Sequence, residues 1–403
     1  MSRKKPLGEN VYNAAKKRIS YIFDSFPRIY LSFSGGKDSS VMLHMVMDEA
    51  VKRGRKIGLL FVDLEAQYKM TIDYVEECFV LYSKNIENYW IALPLSLRNA
   101  VSMYEPKWIC WDPGKLNDWV RRPPRFAISD KEVFPFFTTG MEFEDFVDSF
   151  GHWYSKGELT ACFVGIRSDE SLNRFRSLAM DKSQFQNLRW TTYKSQMLYN
   201  CYPIYDWKTR DIWIYNGKFR KPYNRLYDIM AKAGLSIHEQ RICQPYGDDQ
   251  RKGLWLYHAI EPETWGRVVA RVNGANSGAL YAQEKGNILG RIKITKPDGH
   301  TWQSFAILLL ETLPPKSKEH YENKVAVFLK WYEGRGYPNG IPDEADPKLE
   351  AGRRVPSWRR ICKSLLRNDY WCKGLSFSQT RSESYQKYTK IMKKRRASWG
   401  VSW

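Results

Sequence analysis

Short apolar runs alternate with helix-like segments over about the first 170 residues, and this alternation restricts the fold more than any other feature. Residues 57–62 are mostly apolar and are followed by Asp63, which is typical of a strand covered on both faces. We predict further strands over residues 28–33, 89–93 and 160–166, and helices over residues 9–25, 39–47 and 68–83. Because strands that alternate with helices form parallel sheets with crossover helices, the expected fold class is α/β.

The length of 403 residues suggests more than one domain, since a domain typically holds about 100–200 residues. Prolines and aromatic residues interrupt the alternation over residues 94–142, which we interpret as a long insertion, with a lid as one form that it could take. The Gly- and Pro-rich residues 334–347 indicate a linker or an exposed loop. We therefore divide the chain into an N-terminal helix (1–25), an α/β domain (26–250) and a mainly helical, basic C-terminal extension (251–403).

The chain carries a net charge of +20 at pH 7, and residues 351–403 carry +12 of it, with 14 basic and 2 acidic residues. Such an excess favours an anionic partner: a nucleic acid, a nucleotide or an acidic protein. No apolar run approaches the ~20 residues of a membrane span, and the N-terminus leads us to expect no secretory signal. The seven cysteines form no CxxC pair, which disfavours zinc ribbons and iron–sulfur clusters and indicates a reducing, cytoplasmic compartment.

The hexad Ser34-Gly35-Gly36-Lys37-Asp38-Ser39 follows an apolar strand and opens a helix. Glycines allow a positive φ and a close approach of backbone N–H groups to an anion, and the helix N-terminus adds its dipole. Lys37 adds a full charge, and the hydroxyls of Ser34 and Ser39 can donate to phosphate oxygens. The spacing is not that of a Walker A loop. The hexad predicts a phosphate-binding loop, and a capped strand–helix turn is the structural alternative.

This hexad resembles the PP-loop of the ATP-pyrophosphatase-like superfamily, which includes phosphoadenosine phosphosulfate (PAPS) reductases and has an adenine-nucleotide α-hydrolase-like sheet. Four further segments are similar to PAPS reductases in the expected order: residues 61–68, 165–174, 202–213 and 222–228. The resemblance implies that Lys37, Asp38 and Arg167 take part in catalysis. It implies contacts with a nucleotide or its phosphates for Ser32, Ser34, Gly35, Gly36, Lys37, Asp38, Ser39, Asp63, Gly165, Arg167 and Arg174.

Two arginines follow the strand predicted over residues 160–166. Arg167 and Arg174 would lie at the end of a parallel strand and one turn into a helix, where open α/β sheets bind their ligands. Two guanidinium groups there suit the oxygens of a sulfate or a phosphate. The alternative is a surface turn in which Asp169 and Glu170 pair with these arginines.

PAPS reductases use a cysteine in a C-terminal Glu-Cys-Gly-Ile-His element, and this chain has no such element. The nearest sequence, around Cys372, lacks the acid and the histidine. Cys243 is a candidate thiol, because a basic neighbour could lower its pKa, and a buried structural cysteine is the alternative. His44 lies among apolar residues, and we interpret it as a core histidine. For Asp206 and its neighbours, packing and helix capping are the structural alternative.

Residues beyond about 281 are similar to the C-terminal extension of a bacterial and phage branch of the family, which includes the immunoglobulin-binding regulator A (IbrA-like) type. That resemblance implies a co-activator of prophage genes and a ParB/sulfiredoxin-like protein partner. Cations interleaved with aromatic rings are typical of nucleic-acid surfaces, although a solvated basic face or a protein interface is the alternative. The nucleic-acid candidates are Arg353, Arg354, Arg359, Arg360, Lys393, Lys394, Arg395 and Arg396.

Together these features predict an adenine-nucleotide-binding protein that cleaves ATP at the α-phosphate, with Mg²⁺, and has a nucleic-acid or protein acceptor. A thiol-dependent PAPS reductase is one alternative, in which the same arginines hold the sulfonate. A nucleotide-sensing DNA-binding protein or transcriptional co-regulator without turnover is the other. The expected ligand is ATP or PAPS, and neither an iron–sulfur cluster nor membrane association is expected.

Overall fold

The computed structural model describes residues 8–102, 105–171, 174–175, 184–195, 197–242, 246–247, 254–272, 296–313, 315–367 and 369–377. The chain divides into two compact units: Met1–Leu95 with Cys110–Gln244, and Ser96–Ile109 with Pro245–Trp403. The first unit contains the predicted phosphate loop, and the second contains the C-terminal extension. The division assigns Ser96–Ile109, part of the predicted insertion, to the second unit.

The strands are β1 Arg28–Ser32, β2 Ile57–Val62, β3 Ile86–Ile91, β4 Ser96–Arg98, β5 Lys107–Ile109, β6 Thr160–Val164, β7 Thr191–Ser195 and β8 Leu198–Cys201. Six of them form one sheet in the first unit, in the order β3-β2-β1-β6-β8-β7. All neighbours in this sheet are parallel except β7 and β8, which are antiparallel. The predicted parallel α/β sheet is confirmed, and its four predicted strands lie within three residues of their expected bounds.

Helices cover both faces of this sheet: α1 Val11–Ser25, α2 Lys37–Lys52, α3 Lys69–Leu81, α4 Phe143–Ser155, α5 Thr209–Phe219 and α6 Leu226–Lys232. Helices α1, α2, α3 and α5 share one apolar core with the strand residues of one face. On the other face Tyr30 and Tyr89 contact the rings of Phe150 and Tyr154 on α4. Because side chains alternate between the faces of a strand, this double cover explains the continuous apolar runs.

Strand β1 lies between β2 and β6, and the chain changes direction across the sheet at this point. From β1 it passes through α2 to β2 and then to β3, and later it returns to β6 on the other side of β1. The connections that leave β1 and β6 therefore start side by side at the carboxyl ends of these two strands. Open α/β sheets bind their ligands at such a switch point.

Residues 110–142 of the predicted insertion pack onto the first unit. The backbone N–H of Ile128 donates to the carbonyl of Trp90 at 2.7 Å, beside β3. Trp111, Val120 and Phe134 are buried. These contacts tie parts of the segment to the first unit, while most of residues 112–133 are exposed or half-buried, and the interpretation of a lid stays a prediction.

The described part of the second unit is mainly helical, as predicted, with α7 Leu254–Ile260, α8 Pro262–Arg271, α9 Trp302–Glu311, α10 Pro315–Glu333, α11 Pro347–Ala351 and α12 Trp358–Leu366. Residues of α9, α10 and α12 form its core. The segment 334–347 lies within this unit: Ile341 packs into that core, and the carboxylate of Asp343 accepts from the N-terminal N–H groups of α9. None of the helices described here is long and apolar enough to cross a bilayer.

Candidate functional site

The predicted phosphate loop joins β1 to α2, and one of its two glycines has a left-handed backbone. Gly35 has a φ of +70°, and a Cβ on it would lie 2.8 Å from Cγ2 of Val75 and 3.0 Å from Cγ2 of Thr71. Another residue at this position would be strained and would contact α3 too closely. Gly36 is the N-cap of α2 and has an ordinary φ of −80°. The need for positive φ is therefore confined to Gly35.

Serine hydroxyls fix the shape of this loop. Oγ of Ser39 lies 2.9 Å from Oγ of Ser34 and donates to the carbonyl of Gly36 at 3.0 Å. The hydroxyl of Ser40 donates to the same carbonyl at 2.8 Å. These bonds hold the loop against the first turn of α2, where the N–H groups and dipole of a helix favour an anion.

The side chain of Lys37 is buried at the start of α2, and only 8% of the residue is exposed. Its ammonium donates to the carbonyl of Gln240 at 2.9 Å and lies 5.3 Å from the ring centre of Tyr227. Burial lowers the pKa of Lys37, the charge of Asp38 opposes that change, and the charge of Arg167 adds to it. An anion at this position would stabilise the charged form, because opposite charges favour ionisation.

Arg167 follows β6 and reaches the same helix end. It is 1% exposed, and its Nε donates to Oδ1 of Asp38 at 2.5 Å. Its Nη1 has no hydrogen-bond partner among the described residues, and Oδ2 of Asp169 lies 4.0 Å away. The guanidinium is thus held at one nitrogen and unsatisfied at another, beside the switch point of the sheet.

A close approach of two backbones brings Arg167 to this position. A Cβ on Gly165 would lie 2.8 Å from Cα and 2.9 Å from N of Ser39. Only glycine allows the end of β6 to come this near to the start of α2. The Gly-Ile-Arg motif therefore has a geometric role: its glycine positions its arginine.

The structure does not bring the second predicted arginine to the loop. The side chain of Arg174 is 49% exposed, and its Nε lies 3.8 Å from Oε2 of Glu170. This contact is the surface pairing that the sequence left open as the alternative. Arg167 and Arg174 therefore lie in different surroundings, and only Arg167 is buried at the loop.

Asp63, expected in a nucleoside pocket, is fully buried and has partners of its own. Its carboxylate accepts from Nε1 of Trp90 at 2.9 Å, from the backbone N–H of Glu65 at 3.0 Å and from the guanidinium of Arg121. The indole N–H of Trp111 donates to the backbone carbonyl of Asp63. In this structure Asp63 anchors residues 110–142 to the end of β2.

Sequence reasoning missed the residues that hold the loop from a segment about 190 positions later in the chain. Nδ2 of Asn224 donates to the carbonyl of Gly35 at 3.2 Å and to Oγ1 of Thr71 at 3.0 Å. The backbone N–H of Lys37 donates to the hydroxyl of Tyr227 at 2.9 Å. The motif over residues 222–228 was visible in the sequence, but its contact with the loop, about 190 positions earlier, was not.

Two other features of the sequence have structural roles. The carboxylate of Asp206 accepts hydrogen bonds from both Nη atoms of Arg18, at 2.9 and 2.7 Å. Trp207 is buried, and its indole N–H donates to the carbonyl of Val11. This segment therefore fastens α1. His44 is fully buried, and its ring nitrogens lie 2.7 Å from the hydroxyl of Tyr82 and 2.7 Å from the carbonyl of Pro222. The interpretation of His44 as a core histidine is confirmed.

The cysteines offer no reactive thiol within the described ranges. The six described cysteines are all buried. Burial raises the pKa of Cys78, Cys162, Cys362 and Cys372 to about 12 in each case. A thiol with such a pKa holds its proton at neutral pH and is a poor nucleophile. The candidate thiol Cys243 lies outside the described residues.

The basic residues proposed to contact nucleic acid separate into three groups. Arg353 and Arg354 are exposed. Arg359 pairs with Glu344 and Glu350, and Arg360 is buried, so these two side chains do not form an open basic surface. Four further candidates lie outside the described residues: Lys393, Lys394, Arg395 and Arg396.

Within the part of the chain that the structure describes, no three His, Cys, Asp or Glu side chains are grouped to hold a metal ion. Of the two carboxylates nearest to Arg167, Asp38 is bound by that arginine and Asp169 is partly exposed. These residues do not form a Mg²⁺ site by themselves.

Two family models match the chain. The phosphoadenosine phosphosulfate reductase domain matches residues 28–111 and 130–232, and a domain of unknown function (DUF3440) matches residues 234–339 and 337–386. The first match contains the loop and Arg167. The interval between its two parts, residues 112–129, falls inside the predicted insertion.

Similar proteins span different shares of the chain. The uncharacterized protein YbdN of Escherichia coli (strain K12) is 45% identical over 400 residues, which cover 98% of this chain and 97% of YbdN. The PAPS reductase of Candida auris, solved as a phosphate complex, is 15% identical and covers 61% of this chain and 99% of its own, with a TM-score of 0.33. The FMN adenylyltransferase of Candida glabrata, solved with ATP, is 17% identical and covers 54% of this chain and 57% of its own, also with a TM-score of 0.33.

The assignment rests on the family model and on the aligned relative. The reductase-domain model spans the parallel sheet together with the loop that it carries, and YbdN aligns with nearly the whole chain. The narrower placement in the IbrA-like branch stays a prediction. The chain belongs to the family of YbdN, and its residues 28–111 and 130–232 form a PAPS reductase domain of the PP-loop superfamily, with the adenine-nucleotide-binding fold of that domain.

Proposed function

We propose that the first unit binds ATP with its phosphates on residues 34–39 and transfers the adenylyl group to an acceptor. A nucleophilic atom of the acceptor bonds to the α-phosphorus while the bond from that phosphorus to the bridging oxygen breaks. Pyrophosphate leaves with the electron pair of that bond, and the acceptor's proton passes to water. Negative charge moves onto the leaving pyrophosphate, so the reaction needs cations held close to the phosphates.

One observation carries this proposal: Arg167 is buried, and its Nη1 lies 4.0 Å from Asp169 but has no hydrogen-bond partner among the described residues. A buried donor left unsatisfied costs about 1–3 kcal/mol, so proteins rarely retain one without a use. Asp38 holds Nε and thereby orients the planar guanidinium. A phosphoryl oxygen is the acceptor that matches such a donor, with a charge-assisted hydrogen bond.

Lys37 supplies a second cation at the same helix end. Among the described residues, the ammonium of Lys37 donates to a neutral carbonyl, that of Gln240. Asp38 binds Arg167 but does not pair with Lys37, and Asp169, 4.0 Å from Nη1 of Arg167, is partly exposed. An anion among these groups would add a partner for the ammonium of Lys37 and for Nη1 of Arg167. In this proposal Lys37 and Arg167 hold the phosphates, and Asp38 is a positioning residue for Arg167.

The buried cysteines favour adenylyl transfer over sulfur chemistry. Reduction of PAPS by this protein would need a thiolate that attacks the sulfonate sulfur, and the described thiols with raised pKa values are protonated near pH 7. Cys372, in the sequence nearest to the reductase element, is fully buried. PAPS reduction is therefore the second candidate, and it depends on Cys243.

Mg²⁺ has a limited place in this proposal. The chain supplies no cluster of carboxylates for it within the described ranges, since Asp38 is bound to Arg167. Mg²⁺ commonly binds proteins through substrate phosphates and retained waters with only one or two carboxylates. We propose that it enters with the nucleotide, where it neutralises phosphate charge.

The acceptor is proposed to be a nucleic acid or a protein. The net charge of +20 favours a polyanion. A ParB/sulfiredoxin-like partner and a cytoplasmic location are expectations from the resemblance and from the cysteine pattern.

The test is pyrophosphate release from ATP, measured with purified protein, Mg²⁺ and candidate nucleic acids. Arg167→Lys keeps the charge but loses the fork that binds both Asp38 and a phosphate, so we expect release to fall at least tenfold. Arg210→Lys is the matched control, because Arg210 is exposed on α5 and the same replacement is then made elsewhere in the same unit. Equal loss in both variants would mean a general effect of replacing an arginine by a lysine and would contradict the assigned role of Arg167.

A second arm separates the two chemistries. PAPS with dithiothreitol replaces ATP, and sulfite is measured. If sulfite is released in a reaction that depends on Cys243, and ATP gives no pyrophosphate, the protein is a PAPS reductase and our proposal is wrong. Tight ATP binding without either product, across the nucleic acids tested, would favour the nucleotide-sensing regulator.

A further inference from the structure

The second unit contains a basic cavity of about 340 Å³, formed by α11, α12 and the turn that follows α12. Its charged lining residues are Arg353, Arg360, Lys363, Arg367, Glu350 and Asp369. Cations outnumber carboxylates by four to two. The cavity lies in residues that match the domain of unknown function, and it does not rest on the nucleotide site proposed above.

Arg360 forms part of this cavity, and it is a buried cation without a carboxylate partner in the described structure. It is 3% exposed. Its guanidinium donates to the carbonyl of Gly374 at 2.8 Å and to the carbonyl of Val355, which are both neutral. Its Nε has no hydrogen-bond partner among the described residues. Burial of an uncompensated charge is unfavourable, so this position favours an anion.

A second unsatisfied atom lies one helical turn away. Ser364 is buried, and its Oγ has no partner within the described ranges. Residues four apart share one face of a helix, so Arg360 and Ser364 face the cavity together. A Cβ on Gly374 would lie 2.7 Å from that Oγ and 3.3 Å from Oδ2 of Asp369, so the turn passes close to the hydroxyl.

The two carboxylates are occupied by the protein itself. Glu350 accepts from Nε of Arg359 at 2.9 Å, from Nζ of Lys363 at 3.3 Å and from Oγ of Ser357 at 2.5 Å. Burial would raise the pKa of Glu350, but the hydrogen bonds from Ser357 and Arg359 lower it below its usual value.

The other carboxylate, Asp369, is held by the turn. Its Oδ2 accepts from the backbone N–H of Gly374 at 2.6 Å. Lys363 and Arg359 thus neutralise Glu350, while Arg353 and Arg367 at the rim and Arg360 inside are left to face an incoming group.

We propose that this cavity binds the terminal phosphate of a small molecule, a phosphate monoester of sugar-phosphate or mononucleotide size. Arg360 Nε and Ser364 Oγ donate to the phosphate oxygens, and the rim arginines Arg353 and Arg367 add charge. The volume is at the lower end of the 300–1,000 Å³ of ligand pockets. A terminal phosphate reaches buried donors, whereas a phosphodiester carries a bulky substituent on each side and stays at the rim.

The test is isothermal titration calorimetry of ribose 5-phosphate and inorganic phosphate into the full chain. We expect Arg367→Ala and Ser364→Ala each to weaken ribose 5-phosphate binding at least tenfold. Lys348→Ala is the charge-matched control, because Lys348 is exposed on α11 and outside the cavity, and it should bind as the wild type does. Loss of binding in Lys37→Ala, with the cavity variants unaffected, would place the anion on the first unit and overturn the proposal.

Ser364→Ala separates a ligand role from a structural one. A buried hydroxyl without a partner contributes nothing to stability, so its removal should leave the melting temperature unchanged or raise it. Weaker binding with undiminished thermal stability supports the proposal, and unchanged binding contradicts it. A dodecanucleotide with and without a 5′-phosphate forms the last arm. If both forms bind equally well and Arg367→Ala abolishes that binding, the ligand is a phosphodiester and not a monoester. This result would overturn the proposal that only a terminal phosphate reaches the buried donors.

Discussion

Gly165→Ala is the most direct perturbation of the site, because its consequence can be worked out from distances. The new Cβ would lie 2.8 Å from Cα of Ser39, 2.9 Å from N of Ser39 and 3.0 Å from the carbonyl carbon of Asp38. Ordinary contacts begin at 3.4 Å, and all three neighbours are backbone atoms that no rotamer change can move. The end of β6 and the start of α2 must therefore separate by about 0.6 Å.

This separation acts on stability and on the site together. Overpacking of this kind costs about 1–3 kcal/mol, and each kcal/mol lowers the melting temperature of a unit of this size by about 2–4 °C. The bond from Nε of Arg167 to Oδ1 of Asp38 is 2.5 Å long and would lengthen toward about 3.1 Å, beyond the range of a strong charge-assisted bond. We expect ATP affinity to fall about tenfold, or about 1.4 kcal/mol.

The assay combines calorimetric titration of ATP with thermal unfolding. Gly217→Ala is the matched control: Gly217 lies on the exposed side of α5, a Cβ on it would meet nothing within 4 Å, and the change should stabilise the helix by about 0.5–1 kcal/mol. A Gly165→Ala protein that melts and binds ATP as the wild type does would refute the close approach and, with it, the positioning of Arg167.

Four further predictions concern other parts of the chain. Asn224→Ala removes the hydrogen bonds to Gly35 and Thr71, so the free energy of unfolding measured in urea should fall by about 1–3 kcal/mol and ATP should bind more weakly. Unchanged stability would contradict the role of Asn224 in holding the loop. Burial lowers the pKa of His44 to about 4, below the 6.5 of an unfolded chain, so the unfolded state binds the proton first as the pH falls. The free energy of unfolding, measured in urea titrations, should therefore fall by up to ~3 kcal/mol from about pH 6.5 to about pH 4. The His44→Gln variant should lack this fall. Cys372→Ser should leave pyrophosphate release within about twofold, because burial raises the pKa of that thiol to about 12, and loss of sulfite release from PAPS in this variant would restore the reductase. Deletion of residues 381–403, with 7 basic and 1 acidic residues, should weaken nucleic-acid binding and lower its salt slope in mobility-shift assays, and an unchanged slope would exclude a nucleic-acid role for this tail.

The central strands were predictable because each is buried on both faces. β1, β2 and β6 are apolar nearly throughout, and such runs stand out in the sequence. The hairpin of β7 and β8 was missed because it forms the edge of the sheet, where part of each strand is exposed and polar side chains are tolerated. A strand of four or five residues that is only partly buried has too few apolar residues to show a recognisable hydrophobic pattern.

The candidate site was predictable only where it is local in sequence. Residues 34–39 carry the loop, its glycines and its lysine in one hexad. The contacts of this loop with Asn224 and Gln240 join residues about 190–200 positions apart, and no local pattern indicates them. For Arg360 a local pattern was present but misleading. A basic run such as residues 359–360 is typical of a solvated surface, yet Arg360 is buried, and its guanidinium donates to the backbone carbonyls of Val355 and Gly374.

The position of β1 at the middle of the sheet has a consequence for how the chain folds during synthesis. β1 leaves the ribosome before the other strands of this sheet, but Arg28 pairs with Thr160, about 130 positions later. Until β6 emerges, one edge of β1 has unpaired N–H and C=O groups, and such an edge is a template for pairing with another chain. Because contacts between distant residues also slow folding, we expect nascent chains that end before residue 160 to need a chaperone, and full-length chains to refold slowly from urea.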